Sequence, residues 1–556
     1  TGCTDQESII ITQDLTNTFS GTGNWTDGTK WSCGAPPSTG DVFVINGDAT
    51  LNTNFTVAGS MTIGGSGTLT VAPTYTLTVS GTADFNNRPV TFKSDGTGYG
   101  SLGQVTGSVN NATSNVTVER YIPNNGFRSW RMLSVPTTGS QTVNAAWQNG
   151  QAPLVVGTSG VGTLITGPGG GNGLDAVSSA SSLLRWNTNA WTGVNSTTGA
   201  LSAFKVYFLY IRGDRSKGVT GLTTDANATT LKSTGGLYTN DQNYTVPTNG
   251  FQAIGNLYPS AIDFTQLGGL SVDNGLTGVT TAFYIWDSKK LNGTSLGVYQ
   301  TFSSTSVPAY KCLISGGSYT LNQPNTTIES GQGFLVKGGT SSGGTLVLKE
   351  SAKITSGGGG NLGFRPSSVP ANISSRLYNS SNEMADANQV VFDAAYNKAV
   401  AGEDAAKLSN PGANFAIETA GKLLAVEGTA PVKEDDIIQY RMWNLQQGTY
   451  KLEFVAGNMA DAAAGLEAVL EDSYQKSSTP VSMESITEVN FSVDGNAGSS
   501  AANRFRLVFS KAKQPIATDS KQGYSIAPNP VENGQMNLVF HNRVAGKYTV
   551  RVIGAG

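Results

Sequence analysis

Charge is scarce in this chain. Lys, Arg, Asp and Glu together make up 13% of its 556 residues and the formal net charge is −3; a typical globular protein carries about twice that charged share. Such a chain offers no basic field to nucleic acid or to an anionic lipid surface. Histidine is nearly absent, His541 being the single example, so a Ser-His-Asp or Cys-His centre would have to be built on that one residue. Cys3, Cys33 and Cys312 are the only cysteines, and with one histidine they supply no zinc ligand cluster. Cys3 and Cys33 share the first module and are candidates for a disulfide, while Cys312 lies in an alternating run and reads as a small buried hydrophobe. The longest apolar run, residues 204–211, is far short of the roughly 20 residues that a membrane-spanning helix needs. Phosphate cradles are missing too: Lys422 and Lys547 each follow a glycine but precede Leu423 and Tyr548, where a Ser or Thr is required.

What the chain does have is glycine, 70 residues of it, together with many Thr, Ser and Asn. Strands need β-branched residues, turns need Gly and Asn, and uncharged polar side chains can keep a surface wet. The composition therefore predicts an all-β extracellular protein, long enough for several domains. The first residue is Thr and no signal peptide precedes it, so the chain reads as a processed product with further sequence at its ends.

Residues 1–118 carry short strands of strict alternation. Leu69 and Val71 recur as Leu77 and Val79, too close for parallel neighbours in one sheet. These strands are either a hairpin or successive sides of a solenoid coil, and Gly and Asn at the corners favour a β-solenoid-like module with further coils upstream. Residues 119–365 hold many one-sided strands with long loops, predicting a β-sandwich or jelly roll. Residues 371–511 predict a second β-sandwich, with residues 462–471 open between a short helix and a strand. Residues 512–522 read as a linker. Residues 523–556 give a Pro-Asn-Pro turn at Pro528, Asn529 and Pro530, then strands at 536–540 and 548–553. Two strands cannot bury enough apolar surface to be stable alone, so this segment is the front of a larger module.

Candidate chemistry is thin. Asp435 with Asp436, and Glu471 with Asp472, are adjacent acids that a strand would point to opposite faces, a poor geometry for paired acid–base work. Asp386, Asn388, Asp393, Glu403 and Asp404 cluster in loop-like sequence and offer oxygen ligands to calcium, though not with EF-hand spacing. Trp186 and Trp191 flank a turn-like Asn-rich stretch and could form a platform for a sugar ring. Tyr284 and Trp286 share one strand face and read as core.

Several segments resemble a known group. The order Tyr524, Ile526, Pro528, Asn529, Pro530, Gly534, Gly546, Tyr548 and Val550 resembles the C-terminal sorting domain of proteins exported by the type IX secretion system of Bacteroidetes. Asn24, Trp25, Trp31, Gly34 and Pro37 resemble an opening motif of Bacteroidetes surface proteins. Residues 254–264 with 331–338 resemble non-catalytic β-modules that precede such sorting domains. The resemblance implies that Tyr524, Pro528, Asn529, Pro530, Gly534, Gly546, Tyr548 and Val550 are read by the type IX outer-membrane translocon and by a sorting-domain-binding outer-membrane barrel protein. It implies a non-catalytic structural or adhesin-like protein at the surface of a Gram-negative cell, without cofactor unless calcium is bound. The alternatives are a polysaccharide-binding surface protein, or the non-catalytic end of a larger secreted enzyme.

Overall fold

The computed structural model describes residues 16–110, 115–123, 128–155, 158–168, 171–215, 227–271, 273, 275–288, 297–354 and 369–512, and the backbone alone of 524–532 and 535–540. The chain is all-β: strands carry the described residues, and the helical segments are single turns such as Val143–Trp147 and Met459–Ala462.

The first module is a three-faced parallel solenoid. One face stacks Asn17–Phe19, Val42–Ile45, Ser60–Ile63, Thr82–Asp84 and Ser108–Asn110. The second stacks Thr22–Asn24, Asp48–Leu51, Thr68–Val71, Val90–Phe92 and Val116–Ile122; the third stacks Phe55–Val57, Thr76–Val79 and Ser101–Val105. Leu69 and Leu77 thus lie on successive sides of one coil. Inward positions form columns along the axis, as with Leu51, Val71, Phe92 and Val118 in register on the second face. All four are buried. Corner glycines make the tight stacking feasible: a Cβ on Gly81 would lie 2.1 Å from the Gly59 carbonyl oxygen, and one on Gly107 would lie 1.9 Å from that of Gly81. No side chain fits there.

The first described coil has no third-face strand. Residues 25–41 take that place in the chain, and the tryptophans of the opening motif close the core. Trp31 bridges to Phe19, and its Nε1 donates to the Trp25 carbonyl at 2.8 Å. The Trp25 ring meets Trp31, Phe43 and Phe55 at centroid distances of 4.9, 5.5 and 4.8 Å. Coils before residue 16 fall outside the described residues.

At the other end the solenoid is spliced into the next module. Val116–Ile122, which crosses the 118/119 boundary, pairs in parallel with Val90–Phe92 and antiparallel with Thr229–Gly235. The third face ends at Ser101–Val105, whose outer edge is met by groups of the second module. The Leu102 N–H donates to the Pro259 carbonyl at 3.1 Å, and Ser260 Oγ donates to the Leu102 carbonyl. The Val105 N–H donates to Glu350 Oε1 at 2.8 Å, and Lys353 Nζ reaches the Gly103 carbonyl at 3.4 Å. Glu350 and Lys353 pair at 2.6 Å, and the ammonium lies 4.7 Å from the centre of the Tyr258 ring. Burial pushes the Glu350 carboxyl up and the Lys353 ammonium down, each opposed by the other's charge.

The second module stacks small antiparallel sheets, among them Phe251–Gly255, Gly333–Gly338, Val279–Asp287 and Val298–Ser303 in that order. Its loops are pinned by an internal ion pair: the fully buried Asp175 accepts from Arg215 Nη2 and from the N–H groups of Leu154 and Ile165, each at 2.8 Å. The third module is one curled sheet of 11 strands around a single core, ending on Ser477–Val481 at one side and Ile486–Val493 at the other. Residues 462–471 resolve into the end of a one-turn helix and the start of the strand Leu466–Asp472. Arg504 ties that sheet together, holding Asp472 through two nitrogens at 2.8 and 2.7 Å with its guanidinium 4.8 Å from the centre of the Phe505 ring.

Glu350→Ala leaves Lys353 as a buried, unpaired cation and frees the edge N–H of Val105. We expect a loss of about 3–5 kcal/mol in chemical denaturation. Lys353→Met with Glu350→Leu, which removes both charges, should recover most of that loss; equal losses in the two variants would refute the assignment.

Candidate functional site

The two tryptophans singled out by the sequence face each other across a hairpin. Leu183–Asn187 and Ala190–Gly193 pair with Trp186 opposite Trp191, and Thr188 and Asn189 both have positive φ, 44° and 68°. That is the two-residue turn whose twist matches the strands. The pair does not form an open platform. Trp191 stacks on Phe208 at 5.0 Å, and its Nε1 donates to the Tyr299 hydroxyl at 3.3 Å. Trp130 stacks on Phe208 as well, at 4.9 Å. Trp286 meets both Phe208 and Tyr299 edge-on. Trp191 is therefore a half-buried residue packed against the core and tied to the strand Val298–Ser303. Tyr284 and Trp286 are buried, as their shared face predicts.

Trp186 has a different setting. It is 8% exposed, packs in the core shared by the second and third modules, and its indole Nε1 is itself buried without an acceptor. It walls a cleft of about 320 Å³ between the hairpin and the edge of the neighbouring sheet, shared with Asn187, Asn189, Lys205, Phe251 and Gln252. Asn187, Asn189 and Lys205 are exposed, and Lys205 has no carboxylate partner among the described residues. Sequence reading found the wall and the turn. It missed Lys205, from the loop before Tyr207–Ile211, and Phe251 and Gln252, from another strand, none of which carries a local signal; only the packing places them at the same opening.

Of the calcium candidates, Asp393, Glu403 and Asp404 lie in loops and turns as the sequence suggests, but two do not. Asp386 and Asn388 lie on Met384–Phe392, a strand buried at every position. Its apolar side chains divide between two cores: Ala385, Val390 and Phe392 enter that of the third module, whereas Met384, Ala387 and Val391 enter one shared with Tyr284, Trp286 and Leu313 of the second. A strand covered on both faces loses the alternation by which strands are recognised, which is why it reads as loop. Asp386 accepts from Lys407 Nζ at 2.5 Å, the Phe415 N–H at 2.7 Å and the Ala387 N–H at 2.9 Å. Asp393 accepts from the Ala395 N–H in a local turn, and Asp404 from the N–H groups of Ala401 and Gly428. Among the described residues no group of three or more His, Cys, Asp or Glu side chains is placed to hold a metal. The predicted calcium set is not assembled.

The remaining candidates are quickly placed. Asp472 belongs to Arg504 and Glu471 to Arg506, so these adjacent acids serve separate ion pairs. Cys33 is exposed, and its proposed partner Cys3 lies outside the described residues. Pro528, Asn529 and Pro530 sit within the strand Tyr524–Glu532 and not at a chain reversal, correcting the predicted turn. That strand pairs with Gln535–Phe540, and the register breaks between Ala527 and Glu532. Prolines cannot donate to a ladder, so the motif interrupts pairing without turning the chain. Gly534, Gly546, Tyr548 and Val550 lie outside the described residues.

Two titratable groups lie where the second and third modules meet. Lys311 Nζ donates to Ser374 Oγ at 3.0 Å without a carboxylate, and burial, with Arg376 adding, lowers its pKa from 10.5 to about 7. Burial raises Asp404 from 3.8 to about 7, with Glu427 and Glu403 adding to the rise.

A family model described as a domain of unknown function (DUF8693) matches residues 178–509. No curated protein and no solved structure matches the chain.

For Lys311 the unfolded chain holds the proton more tightly, so stability rises as pH climbs from about 7 to 10.5. For Asp404 the folded chain holds it more tightly, so stability falls as pH climbs from 3.8 to about 7. Lys311→Met should remove the first slope and Asp404→Asn the second, each at most about 1.4 kcal/mol per pH unit. Denaturation midpoints measured across both windows check this; slopes unchanged in the variants would show that neither group is desolvated.

Proposed function

We propose that this chain, which belongs to the family described as a domain of unknown function (DUF8693), is a non-catalytic structural or adhesive protein of a Gram-negative cell surface. The observation that carries the reading is mechanical continuity. The solenoid's second sheet runs into the next module through Val116–Ile122, and its third face is bonded to Glu350 and Lys353. The second and third modules then share a hydrophobic core around Trp286 and Val391. Jointed modules of a flexible chain meet through small polar interfaces. Here each junction is buried, which suits a strut that holds a surface at a distance from the membrane.

The C-terminal segment supplies the proposed route outward. Tyr524–Glu532 and Gln535–Phe540 pair with each other, and extended strands of this kind are what a partner reads by β-augmentation. With the resemblance to type IX sorting domains, this supports a tag read by the outer-membrane translocon and by a barrel protein that binds sorting domains.

Deleting residues 524–556 in the native host should abolish surface exposure, with the protein accumulating inside the outer membrane. Its melting temperature should match that of the intact chain. Surface display that persists at the normal level after the deletion overturns the export reading.

A further inference from the structure

We propose that the cleft beside the Trp186 hairpin is a binding subsite for an acidic pyranose glycan, held by the Trp186 and Phe251 rings, the Asn187, Asn189 and Gln252 amides, and the Lys205 ammonium. Nothing in the structural and export roles requires this cleft, and its chemistry is unlike that of two other clefts of similar size among the described residues.

The comparison is instructive. A cleft of about 400 Å³ where the solenoid meets the second module contains Tyr99 and Glu329, but these bond each other at 2.6 Å. Another of about 380 Å³ on the third module contains Lys451, whose ammonium pairs with Glu488 at 2.8 Å. In both, the strongest polar groups are already satisfied. Beside Trp186 they are not. Lys205 has no carboxylate partner among the described residues, and Gln252 Nε2 makes one bond, to the Ala253 carbonyl at 3.1 Å. No Asp or Glu lines the opening, so its charge is positive.

The ligand class follows from the wall and the rim together. At about 320 Å³ the cleft falls at the small end of the range for small-molecule sites, roughly 300–1,000 Å³. That suits one or two rings of a longer polymer better than a folded partner. Aromatic side chains supply an apolar face with a polar edge, matching a pyranose, whose C–H groups lie on its faces and hydroxyls on its rim. Side-chain amides carry donor and acceptor together, which suits hydroxyl groups that are both. A single lysine without a nest of backbone N–H groups is a poor phosphate cradle, but it can pair with a lone carboxylate on a sugar ring.

The hairpin makes the wall rigid. The Trp186 N–H donates to the Val206 carbonyl at 3.0 Å, and the Trp186 ring meets that of Trp191 edge-on at 5.1 Å. The site is thus preformed, and binding needs little reordering.

The test is a glycan array bearing uronate- and sialate-terminated oligosaccharides with neutral counterparts, probed with the full chain and followed by titration calorimetry on any hit. We expect retention of acidic glycans, and a loss of about tenfold or more in affinity for Lys205→Glu. Gln252→Ala should weaken the same ligands with no change in melting temperature. Trp186→Ala can unfold the hairpin, so the two rim variants carry the decision. Absence of any acidic hit, preference for neutral glycans, or acidic binding untouched by Lys205→Glu overturns the proposal.

Discussion

A parallel solenoid has two open ends, and each presents a row of unpaired backbone groups and an uncovered core. The structure of this protein is organised by how those ends are closed. At one end the Trp25 and Trp31 rings cover the core column that begins at Phe19 and Phe43. At the other, the closure is another module: Pro259, Ser260, Glu350 and Lys353 supply the partners that a further coil would have supplied to Ser101–Val105. Charged groups are used where the backbone of a next strand is missing, and their mutual pairing lets them be buried. The second module is in consequence part of the solenoid's fold and not an independent bead behind it.

The same logic recurs one step along the chain. Met384–Phe392 is buried on both faces, so it serves as the wall between the second and third modules. Two of its polar residues, Asp386 and Gln389, are anchors, whereas the Asn388 amide is buried without a partner. Asp386 gathers Lys407 and two backbone N–H groups, and Gln389 accepts from the Val307 N–H at 2.9 Å while donating to Asn372 Oδ1 at 2.9 Å. A wall of this kind can afford few charges, and those it holds are either paired, as Asp386 is, or shifted towards neutrality, as Lys311 is. The match of one family model to residues 178–509 spans this wall, in keeping with two modules that share a core.

Aromatic residues divide between the two tasks the protein sets them. Trp130, Phe208, Trp191 and Trp286 form a continuous stack and edge contact against the core that the second and third modules share. Trp186, one turn of hairpin away, is held by that cluster but faces a cleft. Rigidity of the first group gives the second its geometry. The walls of the cleft formed by Trp186 and Phe251 are held in place by packed strands.

Sequence by itself determined the class of the fold. Scarce charge, abundant Gly and Thr, and strict alternation over residues 42–92 specify strands and corners; the short distance between Leu69 and Leu77 allows a hairpin or successive sides of a coil, and Gly and Asn at the corners favour the coil. The hairpin turn at Thr188 and Asn189 and the core role of Tyr284 and Trp286 were legible for the same reason: each is a local pattern with period two. Tertiary structure alone decided the rest. Asp386 and Asn388 read as loop because burial on two faces erases alternation, and the Pro-Asn-Pro motif read as a turn because proline's lost N–H has the same local signature in a reversal and in a broken ladder. Glu350, Lys353 and Lys205 had no signature at all. Glu350 and Lys353 meet a strand distant along the chain, Lys205 meets the cleft only through packing, and the environment of each exists only once the sheets have packed.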